Sequence, residues 1–176
     1  MESFIHDWGY IALFLYSFGG GMLALAIAGV FSYTGDLNIY YAISVAVVSN
    51  FIGDQFLFLI ARNNKAYAKS MMSKWGRKIA LTHILMRKYG IWILFIKKYI
   101  YGIKTLVPLA MGLTKFDFKK FTIYNLLATI VWGIAVGFIS YYLGQIFLDS
   151  LEEYKNVGIV TLILLFIIIF QIFKRY

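Results

Sequence analysis

The chain has 176 residues, of which 61% are apolar and only 14% charged. A water-soluble domain carries roughly 45–50% apolar and about 25% charged residues; a soluble enzyme of this composition would expose too much apolar surface, and a membrane protein is indicated. The formal net charge of +9 comes from 17 basic against 8 acidic residues, and these basic residues sit between long apolar runs, which favours a membrane over nucleic acid as the partner.

The absence of cysteine excludes disulfides, thiol catalysis and thiolate metal sites. His6 and His83 are far apart and would need further ligands from scarce carboxylates, so neither a metal nor another cofactor is expected. The length allows one domain, read here as a single membrane domain over 1–176.

Taken in chain order, the N-terminus holds Glu2 and Asp7 without a basic cluster, unlike a cleaved signal peptide. Residues 8–35 carry no charge and are long enough to cross a bilayer, but Gly19-Gly20-Gly21 interrupts them. Each glycine costs about 1 kcal/mol in a helix interior, so this run is read as a re-entrant hairpin. A full crossing with the N-terminus inside is the alternative.

Residues 37–61, with Asp54 as their one charge, form a transmembrane span. Residues 62–88 hold eight basic residues and no acid, which places them in the cytoplasm. There Trp75, Ile79, Ile84 and Met86 alternate with the basic residues, as in one or two amphipathic helices on the inner leaflet.

Segment 89–114 contains Lys97, Lys98, Lys104, Gly102 and the sole proline, Pro108. A lipid-facing span with three central lysines is costly, and irregular backbone at that depth survives only inside protein or beside a wet cavity. It is read as a second re-entrant hairpin. Residues 121–148 form the next span, 149–155 an outer loop poor in basic residues, and 156–173 a last span before Lys174 and Arg175.

The predicted fold is thus all-α. Hairpin plus span (8–61) and hairpin plus span (89–148) form two repeats of opposite orientation, joined by a basic amphipathic linker (62–88) and followed by the C-terminal span. Inverted repeats with helices broken at the midplane are a transporter layout.

Few residues could carry chemistry. Lys98 and Lys104 are either a phosphate clamp in the second hairpin, beside Gly102, or cations that snorkel to the inner interface. Lys97 is read as interfacial. Asp54, one turn after Asn50, is an ion site or the partner of a hairpin lysine, and a structural pair is favoured.

Gly20 and Gly21 would let backbone approach a substrate, or pack the first turn. Asn125 offers a hydrogen bond across the second hairpin, and Trp132 shares its helix face. Gly133 and Gly137, and the stripe Ala42, Ala46, Ser49 and Gly53, suit close helix contacts within the fold or in a homo-oligomer. No nucleophile–base pair, phosphate loop or carboxylate pair is present, so an enzyme is not expected.

Residues 95–147 resemble the second half of the bacterial DedA family, whose domain is also called the SNARE-associated or VTT domain. The family pattern R-F-I-P-G-x-R-T, a small residue and Gly, then Phe, Asn, Trp and a closing Gly-Tyr-x-x-Gly meets Lys98 to Thr105, Ala110, Gly112, Phe121, Asn125, Trp132, Tyr141 and Gly144. In the first half, Ala28-Gly29, Gly35 and Gly53-Asp54-Gln55 through Arg62 match the family's other landmarks. The departures are specific. Lysines replace both arginines, Tyr101 replaces the proline, and Met22 stands where the first hairpin usually carries a carboxylate.

The resemblance implies a multi-pass protein of the bacterial cytoplasmic membrane that translocates a phosphate-bearing lipid, undecaprenyl phosphate or a phospholipid. It also places Lys98 and Lys104 as the headgroup cations. A proton- or sodium-coupled small-solute transporter and a non-transporting membrane-homeostasis factor are the alternatives. The missing carboxylate weakens proton coupling by the family's route. The expected partner is a membrane lipid with an anionic phosphate headgroup, and no nucleic acid.

Overall fold

A computed structural model describes residues 2–19, 21–73, 75–100 and 102–153, and among them every regular element is helical. The helices are α1 (Glu2–Phe18), α2 (Met22–Tyr33), α3 (Ile39–Asn63), α4 (Lys65–Ser73), α5 (Gly76–Tyr89), α6 (Ile93–Ile96), α7 (Leu106–Leu113) and α8 (Phe118–Glu153). Short 3₁₀ turns, Gly90–Trp92 and Lys97–Tyr99, flank α6. The expected C-terminal span, 156–173, lies outside the described residues.

Asx residues start three of these helices. The Asn38 side chain accepts from the backbone N–H groups of Tyr40 (2.9 Å) and Tyr41 (3.3 Å), that of Asn64 from Tyr67 (3.0 Å), and that of Asp117 from Lys120 (2.8 Å). Each satisfies a donor that has no acceptor within its own helix.

The long helices α3 and α8 run antiparallel. Phe58 stacks on Phe121 at 4.1 Å between ring centroids, and further along Gly133 meets Val47 and Gly137 meets Ile43. The small residues of both stripes are thereby taken up inside the fold.

The outward faces of these two helices are apolar. Val48, Ile52, Phe56, Ile123, Leu127, Val131 and Ile134 are exposed, whereas Asn50, Asp54, Asn125 and Thr129 are buried. Polar inside and apolar outside is the pattern of a protein solvated by lipid.

In the first half, α1 runs beside α3 in the same direction. The Asn38 N–H donates to the Tyr10 hydroxyl (2.8 Å) near the start, Ser49 Oγ donates to the Phe14 carbonyl, and Asn50 Nδ2 to the Ser17 carbonyl (3.3 Å). The chain then breaks and α2 returns along α8, where Gly29 faces Ser140 and the Tyr33 hydroxyl donates to Asp149 (2.5 Å). Both arms therefore end level with the start of α3, and the break lies level with its middle. Glycine is required there, since the Phe18 carbonyl oxygen occupies the place of a Gly53 side chain and a Cβ on Gly21 would lie 2.8 Å from the Tyr16 carbonyl oxygen.

The second half is built the same way from the other end. Trp92 packs edge-on against Tyr124 (6.3 Å), the 3₁₀ turn at Lys97–Tyr99 reaches the middle of α3, and α7 returns beside the far half of α3. Gly112 sits under the Phe58 carbonyl, and Arg62 ties the end of α7 by donating to the carbonyls of Gly112 (3.3 Å) and Phe116. Pro108 lies in the first turn of α7, where a missing N–H leaves no intrahelical bond unmade.

By length and composition, three helical stretches are able to cross a membrane: Ile39–Asn63, Gly76–Tyr99 and Phe118–Ser150. The first and third contain most of the expected spans 37–61 and 121–148. The middle one is not straight. In a continuous helix Lys78 and Lys97 would stand roughly 28 Å apart, yet Lys78 Nζ lies where a Gly102 side chain would be (2.7 Å from an ideal Cβ). The chain folds back near Gly90, whose φ of +54° ends α5.

The linker thus differs from two helices lying freely on a leaflet. Ala68, Met72, Ile79 and Met86 pack with Leu106, Leu109 and Ala110 of α7, leaving Trp75 and Ile84 exposed.

Candidate functional site

Besides the cluster between the linker and α7, two apolar clusters fill the described residues. One is built around Leu25, Ala42, Ala46 and Trp132, the other around Phe58, Leu94, Val107 and Phe121. Between them lies a polar layer, at the level where both broken segments reach α3. Asn50 joins the two, donating from Nδ2 to the Ser17 carbonyl of the first break and accepting through Oδ1 from Lys98 of the second (2.6 Å).

Lys98 uses all three of its donors here, on Asn50 Oδ1, Asp54 Oδ2 (2.7 Å) and Thr129 Oγ1 (2.6 Å). Thr129 in turn donates to the Asn125 carbonyl one turn back (2.6 Å). Asp54 is therefore a partner of a hairpin lysine, and it has a second one. Lys97 Nζ lies 2.7 Å from the same Oδ2, an ion pair whose angles do not satisfy a hydrogen bond.

Lys97 is completely buried, which corrects its reading as an interfacial residue. The 3₁₀ turn is the reason. It carries Lys97 and Lys98 into the middle of the fold, where their long side chains converge on one carboxylate.

Lys104 is partly buried, with Nζ 5.3 Å from the centre of the Trp132 ring, and it makes no ion pair among the described residues. Three lysines thus share the layer with one carboxylate. A buried cation without a counter-ion costs several kcal/mol, so the layer is incomplete electrostatically.

It is also incomplete in hydrogen bonds. Asn125 is fully buried with neither side-chain atom partnered, and Trp132 Nε1 and Ser17 Oγ are unpartnered as well. Asn125, Thr129 and Trp132 recur at helical spacing on one face of α8.

Gly102 adopts φ +88°, a left-handed conformation that favours glycine, and Lys78 covers it. Gly21 sits at the first break, and Gly20 lies outside the described residues.

Of the residues singled out from sequence, Asp54, Lys98 and Asn125 share this layer, with Lys104 at its edge and Gly102 beside it. Thr129 and Lys78 were missed, and Lys97 was read as interfacial. Thr129 was findable, four residues after Asn125 on the same face. Lys78 was not, because nothing local says that the linker doubles back.

The VTT domain family model matches residues 18–142. The chain is 24% identical to undecaprenyl phosphate transporter A of Staphylococcus aureus, with 93% of this chain and 90% of that protein covered. It is 24% identical to the inner membrane protein YohD of Escherichia coli, covering 88% and 82%. Undecaprenyl phosphate transporter A of Bacillus subtilis is 22% identical, covering 86% and 78%. No solved structure matches the chain.

Proposed function

Because the chain belongs to the VTT-domain family, also called DedA, we propose that it is a multi-pass transporter of the bacterial cytoplasmic membrane that carries a phosphate-bearing lipid. The observation that carries this reading is the surplus of cations in the polar layer, where among the described residues Lys97, Lys98 and Lys104 face Asp54 alone. A phosphate would supply the missing negative charge, and the unpartnered Asn125 amide and Trp132 indole N–H are donors suited to its oxygens. The names of the two undecaprenyl phosphate transporters support the same class of cargo.

In this reading the two helix–break–helix segments are re-entrant hairpins that enter from opposite faces and meet at the midplane. The N-terminus lies outside, and residues 62–88 and the C-terminus lie inside. The halves form an inverted repeat around one site, the arrangement on which alternating access is built.

Lys104, which has no ion-pair partner among the described residues, makes the first contact with the headgroup. Lys98 joins only by giving up one of its three present acceptors, so Asp54 acts as a stand-in anion that the phosphate partly replaces. This weighs against a cation-coupled solute transporter, since a carboxylate already held by two lysines is a poor cation ligand.

The test is reconstitution into vesicles with labelled lipids. Accelerated transbilayer movement of a polyprenyl phosphate or an anionic phospholipid, but not of the corresponding polyprenol or diacylglycerol, is expected. Equal movement of the charged and uncharged lipids removes the reading.

A further inference from the structure

We propose that the apolar groove on the outer face of α6 and α8 holds the hydrocarbon chain of the lipid whose phosphate occupies the polar layer. The inference rests on the phosphate-lipid reading and adds to it the second half of the ligand's binding site. The groove measures about 280 Å³ and is lined by Phe95, Ile96, Tyr99, Ile100, Ala128 and Val131. That is near the lower limit for a small-molecule site, and it suits a chain segment better than a headgroup.

Its position singles out the occupant. Tyr99 and Ile100 follow Lys97 and Lys98 directly in the chain, and Ala128 precedes Thr129, which accepts from Lys98. Groove and cation site are thus the two sides of one wall, made by the 3₁₀ turn at Lys97–Tyr99 and the middle of α8. The inner side presents ammonium groups and a hydroxyl; the outer side presents aliphatic and aromatic side chains, with the Tyr99 phenol as its one polar group.

Tyr99 and Val131 form an open rim, at 54% and 52% exposure, while Ala128 forms a closed floor at 1%. An amphiphile with an anionic head and an apolar tail matches this division of charge. The tail can stay in the groove, at the lipid-facing surface, while the head passes behind the turn.

A second and larger groove, about 480 Å³ between Phe56, Leu59, Ile60, Asn63, Asn64 and Tyr67, has no such neighbour. None of its lining residues belongs to the polar layer, so it serves as the control.

The experiment uses the full chain in detergent with two probes that share one headgroup, hexadecyl phosphate and butyl phosphate. Val131→Trp fills the groove from its exposed rim, where a larger side chain leaves the core untouched. We expect its affinity for hexadecyl phosphate to fall about tenfold, the scale of two methylenes denied burial, with butyl phosphate unchanged. Leu59→Trp, in the control groove, should alter neither.

A photoreactive group at the chain end of hexadecyl phosphate should attach to residues 95–100 or 128–131 in the parent. The inference is overturned if both probes weaken equally in Val131→Trp, if neither weakens, or if Val131→Cys cross-links two chains, which would make the groove a protein interface. If the parent binds neither probe, the phosphate reading itself falls, and the inference falls with it.

Discussion

Among single residues, Asp54 holds the layer together and Lys97 loads it. Removing one member of a buried ion pair leaves a charge unpaired and costs about 3–5 kcal/mol. Asp54→Asn leaves two buried lysines without their shared anion, and we expect a loss of that order in thermal unfolding in detergent. Lys97→Gln should behave oppositely. It removes a cation from a layer with too many and leaves the Lys98–Asp54 pair intact, so unfolding should stay unchanged or rise slightly. Adding Lys97→Gln to Asp54→Asn should recover part of the loss. If Lys97→Gln alone destabilises as much as Asp54→Asn, the count of surplus charge is wrong. In the sequence, Asp54, Lys98 and Lys104 stood out because charges inside apolar runs are conspicuous. Lys97 was misjudged because its burial depends on a 3₁₀ turn that has no composition signal of its own.

At the level of elements, the glycines set how closely the broken segments approach α3. The Phe18 carbonyl lies on Gly53 and the Phe58 carbonyl on Gly112. Backbone cannot retreat as a side-chain tip does, so Gly53→Ala and Gly112→Ala should each cost about 1–3 kcal/mol by overpacking. The measurement is again thermal unfolding, with Gly19→Ala as the control because open space surrounds it; helix propensity alone would make Gly→Ala stabilising, so a gain or no loss at Gly53 and Gly112 would show that close approach is not at work. The long helices were legible as uncharged runs, but the side-chain caps at Asn38, Asn64 and Asp117 emerged only with the structure. Interruption of 8–35 was legible in three adjacent glycines. The tertiary use of the linker was not, since an amphipathic stripe reads alike whether its apolar face meets lipid or α7.

For the molecule as a whole, the arrangement around α3 and α8 requires the two breaks to be reached from opposite ends. The chain has no native cysteine, which makes topology directly measurable. Ser70→Cys should be protected from an impermeant thiol reagent in intact cells and labelled in inverted membranes, and Asp36→Cys should show the reverse. Labelling of position 70 in intact cells would put the basic linker outside and overturn the proposed orientation.

If surplus positive charge in the polar layer binds a lipid phosphate, as proposed, Lys104 is the most direct probe, because it makes no ion pair among the described residues. The decisive measurement is the affinity of the reconstituted chain for a labelled polyprenyl phosphate, compared among parent, Lys104→Arg and Lys104→Gln. Arginine keeps the charge and adds a bidentate contact, so its binding should equal or exceed that of the parent. Glutamine should lose about 1–3 kcal/mol, the scale of a charged hydrogen bond. Binding by Lys104→Gln that matches the parent would contradict the account and leave Lys104 as an interfacial anchor.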